Sequence, residues 1–194
     1  GAGRTDTGVH ASGQVIAWDI DWRHPIANLQ KAINSHLPDD IALQAICPTD
    51  DTFHPRFSAL SRTYRYKIVI TPARDPLRSR FTWQRFHNLA VEKMAQAAQM
   101  LLGTHDFATF GQPPQGTSTI RHVMHSDIQT VGDEIWFTIT ANAFLQRMVR
   151  SIVGTLVEVG RGKTTLAEFD AAFAATDRAK SGPSAPAHGL TLIN

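Results

Sequence analysis

Apolar residues recur along this chain at two spacings, and each spacing predicts a different element. In Ser61–Ile70 (SRTYRYKIVI) the period is two: Arg62, Tyr64, Tyr66, Ile68 and Ile70 share one face of a strand, with Thr63, Arg65, Lys67 and Val69 on the other. Arg121–Gln129 and Glu134–Thr140 flank Val131-Gly132-Asp133 and predict a hairpin with Ile135, Phe137 and Ile139 facing inward. Gln14–Ile20, Ile41–Cys47 and a short closing segment, Gly189–Ile193, also read as strands. Elsewhere the spacing is three to four. Ile26, Leu29, Ile33 and Leu37, between Pro25 and Pro38, predict a short helix. Phe86, Ala90, Met94, Ala97 and Leu101 predict a helix of about 16 residues ending near Gly103. From Phe144 to Val159 the stripe Leu145, Met148, Val149, Ile152 and Leu156 predicts a third, with Gln146, Arg147, Arg150 and Gly154 along its other side. Pro48–Leu60 reads as a connector, and Gly111–Ser118 (GQPPQGTS) and Ser181–Ala187 as loops. The fold class is therefore α+β.

Composition narrows the function classes. A chain of 194 residues, 42% hydrophobic with 10 Phe and 4 Trp, can bury a substantial core. No apolar run approaches the roughly 18 to 20 residues of a membrane span, and no secretion signal is visible, so the cytoplasm is the expected location. A single cysteine, Cys47, excludes an intrachain disulfide and a thiolate cluster. The nine histidines show no metal-ligand spacing, and Asp39-Asp40 and Asp50-Asp51 read as turn formers, so no metal is expected. The net charge is only +2, but it is unevenly spread. Arg62, Arg65 and Lys67 crowd one segment, Arg74, Arg78, Arg80 and Arg85 follow, and Arg147, Arg150, Arg161 and Lys163 form a later group. Such clusters suit a polyanion.

The densest chemical signal is the opening, GAGRTDTGVH. Its first two glycines suggest a dinucleotide loop, but Asp6 stands where the third glycine would be and would repel a pyrophosphate. What remains is a loop displaying Arg4, Thr5 and Asp6, with Gly8 permitting a sharp turn. Such a carboxylate can serve as nucleophile or base, or simply cap its own turn.

GAGRTDTGVHASGQV closely resembles the nucleophile loop of the TruA-type tRNA pseudouridine synthases, which act on the anticodon stem-loop. FHPRFSALSRTYRYKI is similar to that family's tyrosine-bearing strand, HDFATF to the segment after its long helix, and NAFLQRMVRSIVGTLVEVGRG to its arginine-bearing helix. Pro186-Ala187-His188-Gly189-Leu190 is similar to its closing strand, so the match runs nearly the length of the chain in the family's order.

The resemblance implies a pseudouridine synthase fold, antiparallel sheets flanked by helices with a cleft between two subdomains. Residues 1–50 would be the remnant of an N-terminal α/β subdomain carrying the nucleophile loop, and 51–194 a C-terminal α+β subdomain. The family pattern places about fifty more residues before this motif, without which sheet edges would be left open. The implied activity is isomerisation of uridine to pseudouridine in tRNA, with no cofactor or metal, by a cytoplasmic homodimer with no DNA or membrane partner. Asp6 matches the family's nucleophile and Arg150 its basic partner. Tyr64 matches the residue that packs on the target base, Arg4 the arginine that displaces that base from the stack, and Leu190 an apolar residue at the pocket edge; Tyr66 looks structural. A catalytically inactive tRNA-binding module is the competing expectation, and tritium release from C5-labelled uridine separates the two.

Overall fold

The computed structural model describes residues 1–114 and 116–194; Gln115, inside the loop expected over Gly111–Ser118, lies outside the described residues. The chain divides into two compact units. The first comprises Gly1–Ala2 and Val15–Ala59, and the second Gly3–Gln14 and Leu60–Asn194.

The first unit contains the helix α1 (Ile26–Asn34), which begins directly after Pro25 as expected. The two strands expected here do not form: Gln14–Ile20 and Ile41–Cys47 carry no ladder. A strand needs a partner for its backbone groups. For Leu43 and Gln44 side chains of α1 take that part. Asn34 Nδ2 donates to the Leu43 carbonyl at 3.0 Å, Leu43 N donates to Asn34 Oδ1 at 2.7 Å, and Gln30 Nε2 donates to the carbonyls of Leu43 and Gln44 at 3.0 and 2.7 Å. The alternation of the first segment is real, but Val15, Ile16, Trp18 and Ile20 are exposed.

The second unit is built on one seven-stranded sheet in the order β1-β7-β2-β6-β5-β4, with β3 also on β2. The strands are β1 (His10–Ala11), β2 (Arg62–Ile70), β3 (Trp83–Arg85), β4 (Gly103–Asp106), β5 (Ile120–Val131), β6 (Glu134–Ala141) and β7 (Leu190–Leu192). β2, β6, β5 and β4 pair antiparallel. The other edge of β2 is shared: β7 runs antiparallel beside Tyr64–Tyr66, and β3 parallel beside Ile68–Ile70. The expected β5–β6 hairpin turns at Gly132, whose φ of 62° is left-handed.

Alternation sorts the faces as expected. Ile135, Phe137 and Ile139 of β6 are buried beside Tyr64, Tyr66 and Ile68 of β2. On the opposite face the Trp136 ring lies 4.7 Å from the Arg65 guanidinium and 4.8 Å from the Lys67 ammonium. Over the buried face pack the helices α2 (Val91–Gln99), α3 (Met148–Gly160) and α4 (Leu166–Ala174), forming one core with the sheet. Each wholly buried Phe or Ile in it contributes about 1.5 to 3 kcal/mol.

Two helical expectations are corrected, and one helix was not expected. The helix expected from Phe86 starts at Val91, because Trp83–Arg85 pairs with β2 and leaves Phe86 exposed. The helix expected from Phe144 starts at Met148, and it is buried almost all round rather than along one stripe. Sequence periodicity passed over α4, although Thr165 and Glu168 carry the signature of a capping box: Glu168 N donates to Thr165 Oγ1, and Thr165 N donates to Glu168 Oε2. Those bonds hold the Glu168 carboxyl below its ordinary pKa. Among the described residues no helix is long and apolar enough to cross a membrane.

Candidate active site

Asp6 sits in a turn closed by its own backbone, with Val9 N donating to the Asp6 carbonyl at 3.0 Å and Gly8 at φ 81°. The base of this loop is clasped by Gln14, whose side-chain Nε2 donates to the Gly3 carbonyl at 2.7 Å. Directly after the turn, β1 lies parallel to β7, with His10 opposite Thr191. The imidazole of His10 is itself fixed, with Nε2 2.8 Å from the Arg80 carbonyl and the ring 4.6 Å from that of Phe81. The loop is thus held at its base by a side-chain amide, at its end by the sheet, and from the side by the 75–82 segment.

Arg150, in the first turn of α3, reaches this loop. Its Nη1 donates to Asp6 Oδ2 at 2.8 Å, and its Nε donates to the Ala185 carbonyl at 2.8 Å. The Ala185 amide in turn donates to the Arg150 carbonyl at 2.9 Å. The pair is partly shielded, with 18% of the arginine side chain and 31% of the aspartate exposed. A guanidinium with two acceptors on one fork is restrained in direction as well as position. A carboxylate bonded to it is aimed.

The segment from Gly182 to Gly189 forms a strap across α3. Gly154 is where it crosses, since a Cβ there would lie 1.7 Å from the Pro183 carbonyl oxygen. The space at Gly154 is therefore filled by the strap. Tyr66 holds the far end: its buried hydroxyl donates to the Pro186 carbonyl at 2.8 Å, and Gly189 passes so close to its ring that a Cβ would lie 2.6 Å away. Burial raises the Tyr66 phenol far above its ordinary pKa.

Tyr64 is 8% exposed and meets Phe144 edge-on at 5.0 Å between centroids. Burial raises its pKa, the Arg62 charge opposes that shift, and the Asp6 charge adds to it, which places the phenol within electrostatic reach of Asp6. A Cβ on Gly3 would come within 3.9 Å of the Tyr64 hydroxyl. Leu190 is buried in β7 opposite Tyr66. Arg4 is exposed, two residues before Asp6, and forms no hydrogen bond or ion pair among the described residues. So the fold brings Asp6, Arg150 and Tyr64 together, puts Leu190 in the adjoining core, and leaves Arg4 open to solvent. Sequence reasoning missed Gln14, His10, Phe144 and the Ala185 carbonyl. Only the strap's proline and glycine content could have hinted at the last of these.

Among the described residues no group of three or more His, Cys, Asp or Glu side chains is placed to hold a metal. The arrangement can hold a directed carboxylate near a buried tyrosine, which suits nucleophilic or basic chemistry on a planar substrate.

A family model described as tRNA pseudouridine synthase matches residues 97–194. A tRNA pseudouridine synthase A of Brevibacillus brevis is 43% identical over 99% of this chain and 79% of its own length. Those of Chloroflexus aurantiacus and Caulobacter vibrioides are 44% and 41% identical, over 98% and 99% of this chain and 70% and 78% of theirs. Similarity of this depth over nearly the whole chain leaves one conclusion: the chain belongs to the tRNA pseudouridine synthase family.

Proposed function

We propose that this chain isomerises a uridine of the tRNA anticodon stem-loop to pseudouridine, with Asp6 as the nucleophile, Arg150 as its partner and Tyr64 packing on the target base. The reaction breaks the N1–C1′ bond and joins C5 to C1′; the proton on C5 is lost to water and N1 gains one, so no oxidant, phosphoryl group or metal enters the balance. The observation that carries the reading is the 2.8 Å bond from Arg150 Nη1 to Asp6 Oδ2, with the arginine pinned from behind by the strap. A cation in that position holds the carboxylate in one direction toward the substrate.

The target base must first leave the stack, at a cost of a few kcal/mol. Arg4, exposed and close in sequence to Asp6, is the residue suited to take its place, while the edge of Tyr64 receives the base and Leu190 closes the apolar side. Cytoplasmic location and a homodimer are the parts of this reading that rest on family membership, and sedimentation of the purified protein tests the second.

The test of function is tritium release from C5-labelled uridine in a tRNA transcript. The wild-type protein releases tritium, and Asp6→Asn lowers the rate by on the order of a thousandfold or more while still binding tRNA. Binding without release by the wild type would favour an inactive RNA-binding module instead.

A further inference from the structure

The residue that opens α3 stands in three unfavourable circumstances at once. Arg147 has φ 61° and ψ 8°, the left-handed region, which costs a residue with a Cβ roughly 1 to 2 kcal/mol. It is a cation at a helix N-terminus, where the helix dipole disfavours positive charge. And a second cation lies against the same turn. Arg178 Nη2 donates to Ser151 Oγ at 2.9 Å and its Nη1 to the Thr109 carbonyl at 3.0 Å, while Ser151 N donates to the Arg147 carbonyl at 3.0 Å. Burial, and then the nearby Arg147 charge, lower the Arg178 pKa. Both acceptors of Arg178 are neutral. Among the described residues neither arginine has a carboxylate within ion-pair distance, and the Arg147 side chain is exposed without a hydrogen bond.

The backbone on either side gives Arg147 no freedom to escape. Gln146 N donates to the Gln112 carbonyl at 2.9 Å, and Gly111 passes so close that a Cβ there would lie 2.7 Å from the Gln146 carbonyl oxygen. The fold therefore fixes the backbone from which an exposed guanidinium projects near a second one, where an anion would relieve both electrostatic costs.

The neighbours say which anion. Arg150, three residues on and about 4.5 Å further along the axis, holds Asp6. Phe144, three residues back, touches Tyr64. An anion at Arg147 lies next to the place where the base would be received.

We propose that Arg147, backed by Arg178, binds a backbone phosphate of RNA flanking the nucleotide presented to Asp6. The inference rests on the reading of the chain as acting on tRNA, and it adds a binding residue to that site.

Arg147→Gly tests it, because glycine adopts this backbone without strain while removing the charge. In an Asp6→Asn background, which stops turnover, tRNA binding is titrated from low to moderate salt alongside thermal unfolding. The expected result for Arg147→Gly is an unfolding temperature equal to or above the parent's, a dissociation constant raised about three- to tenfold at moderate salt, and a salt slope reduced by about one. Arg147→Lys should recover most of the slope. An unchanged dissociation constant, or a raised one with unchanged slope, overturns the phosphate contact while leaving the functional reading intact. Failure of the parent itself to bind tRNA overturns both.

Discussion

Arg150 makes two bonds that no other side chain could make together. Its Nε and Nη1 point to different acceptors, the Ala185 carbonyl and Asp6, and the planar fork sets the angle between them. Lysine supplies one charge at one point, so Arg150→Lys should restore the field at Asp6 but not its direction. Arg150→Ala is expected to lower the single-turnover rate at saturating protein by about a hundredfold or more, and Arg150→Lys by less. Because the pair is partly solvated, the loss of stability should be only about 1 to 2 kcal/mol, measured by urea unfolding. A folded Arg150→Ala protein that reacts at the wild-type rate once saturated would reduce this arginine to a phosphate contact. Tyr66, one strand position beyond Tyr64 on the same face, shows how differently two tyrosines can be used. It is wholly buried, its hydroxyl holds Pro186, and its ring is matched to the missing side chain of Gly189.

At the scale of elements, the strap is what aims the arginine. Gly154→Ala would drive a methyl into the Pro183 carbonyl, which is backbone and cannot swing aside, so the strap must lift. The Ala185 amide, which donates to the Arg150 carbonyl, should then exchange its proton faster, and kcat should fall more than KM rises. Normal protection of that amide in a slow variant would break the link between strap and rate. A second tie holds the 75–82 segment that supports His10. Arg78 Nε donates to Asp75 at 2.6 Å and its Nη1 to Asp133 at 2.7 Å, and these bonds hold both carboxyls below their ordinary pKa. Depressed carboxylates add stability above the unfolded value near 4 and lose it as pH falls through the lower folded value. Arg78→Ala should therefore lower the unfolding temperature at neutral pH, and its gap to wild type should close as the solution is acidified below pH 4 or so. A gap that persisted at low pH would show a packing effect instead.

The same elements explain what could be read in advance. β2, the β5–β6 hairpin and the bodies of α2 and α3 are half or wholly buried, so their periodicity records the core. The expectation at Asp6, Tyr64 and Arg150 came from the long motifs around them, and the fold brings the three together. Gln14–Ile20 and Ile41–Cys47 alternate but lack a ladder, and alternation alone cannot supply one. The start of α3 was misplaced because Arg147 in the left-handed region is a conformation no apolar pattern announces. His10 acts through one hydrogen bond and Gln14 through two, all to backbone groups distant in sequence, which leave no periodic trace.

For the whole molecule, a net charge of +2 understates the attraction for RNA. Affinity for a polyanion follows the counterions released locally, so the dissociation constant for tRNA should climb steeply between low and moderate salt, as a filter-binding titration would register. A flat response would mean that the clusters around Arg65, Arg80 and Arg147 face away from the substrate. One topological feature reaches further. β1, which carries the end of the Asp6 loop, has no partner in the sheet except β7 among the described residues, and His10 meets Thr191 some 180 residues later. On a ribosome adding about 5 to 20 residues per second, the loop waits roughly 10 to 40 seconds for the strand that will support it. A growing chain thus carries the Asp6 loop without its sheet support until β7 has been made.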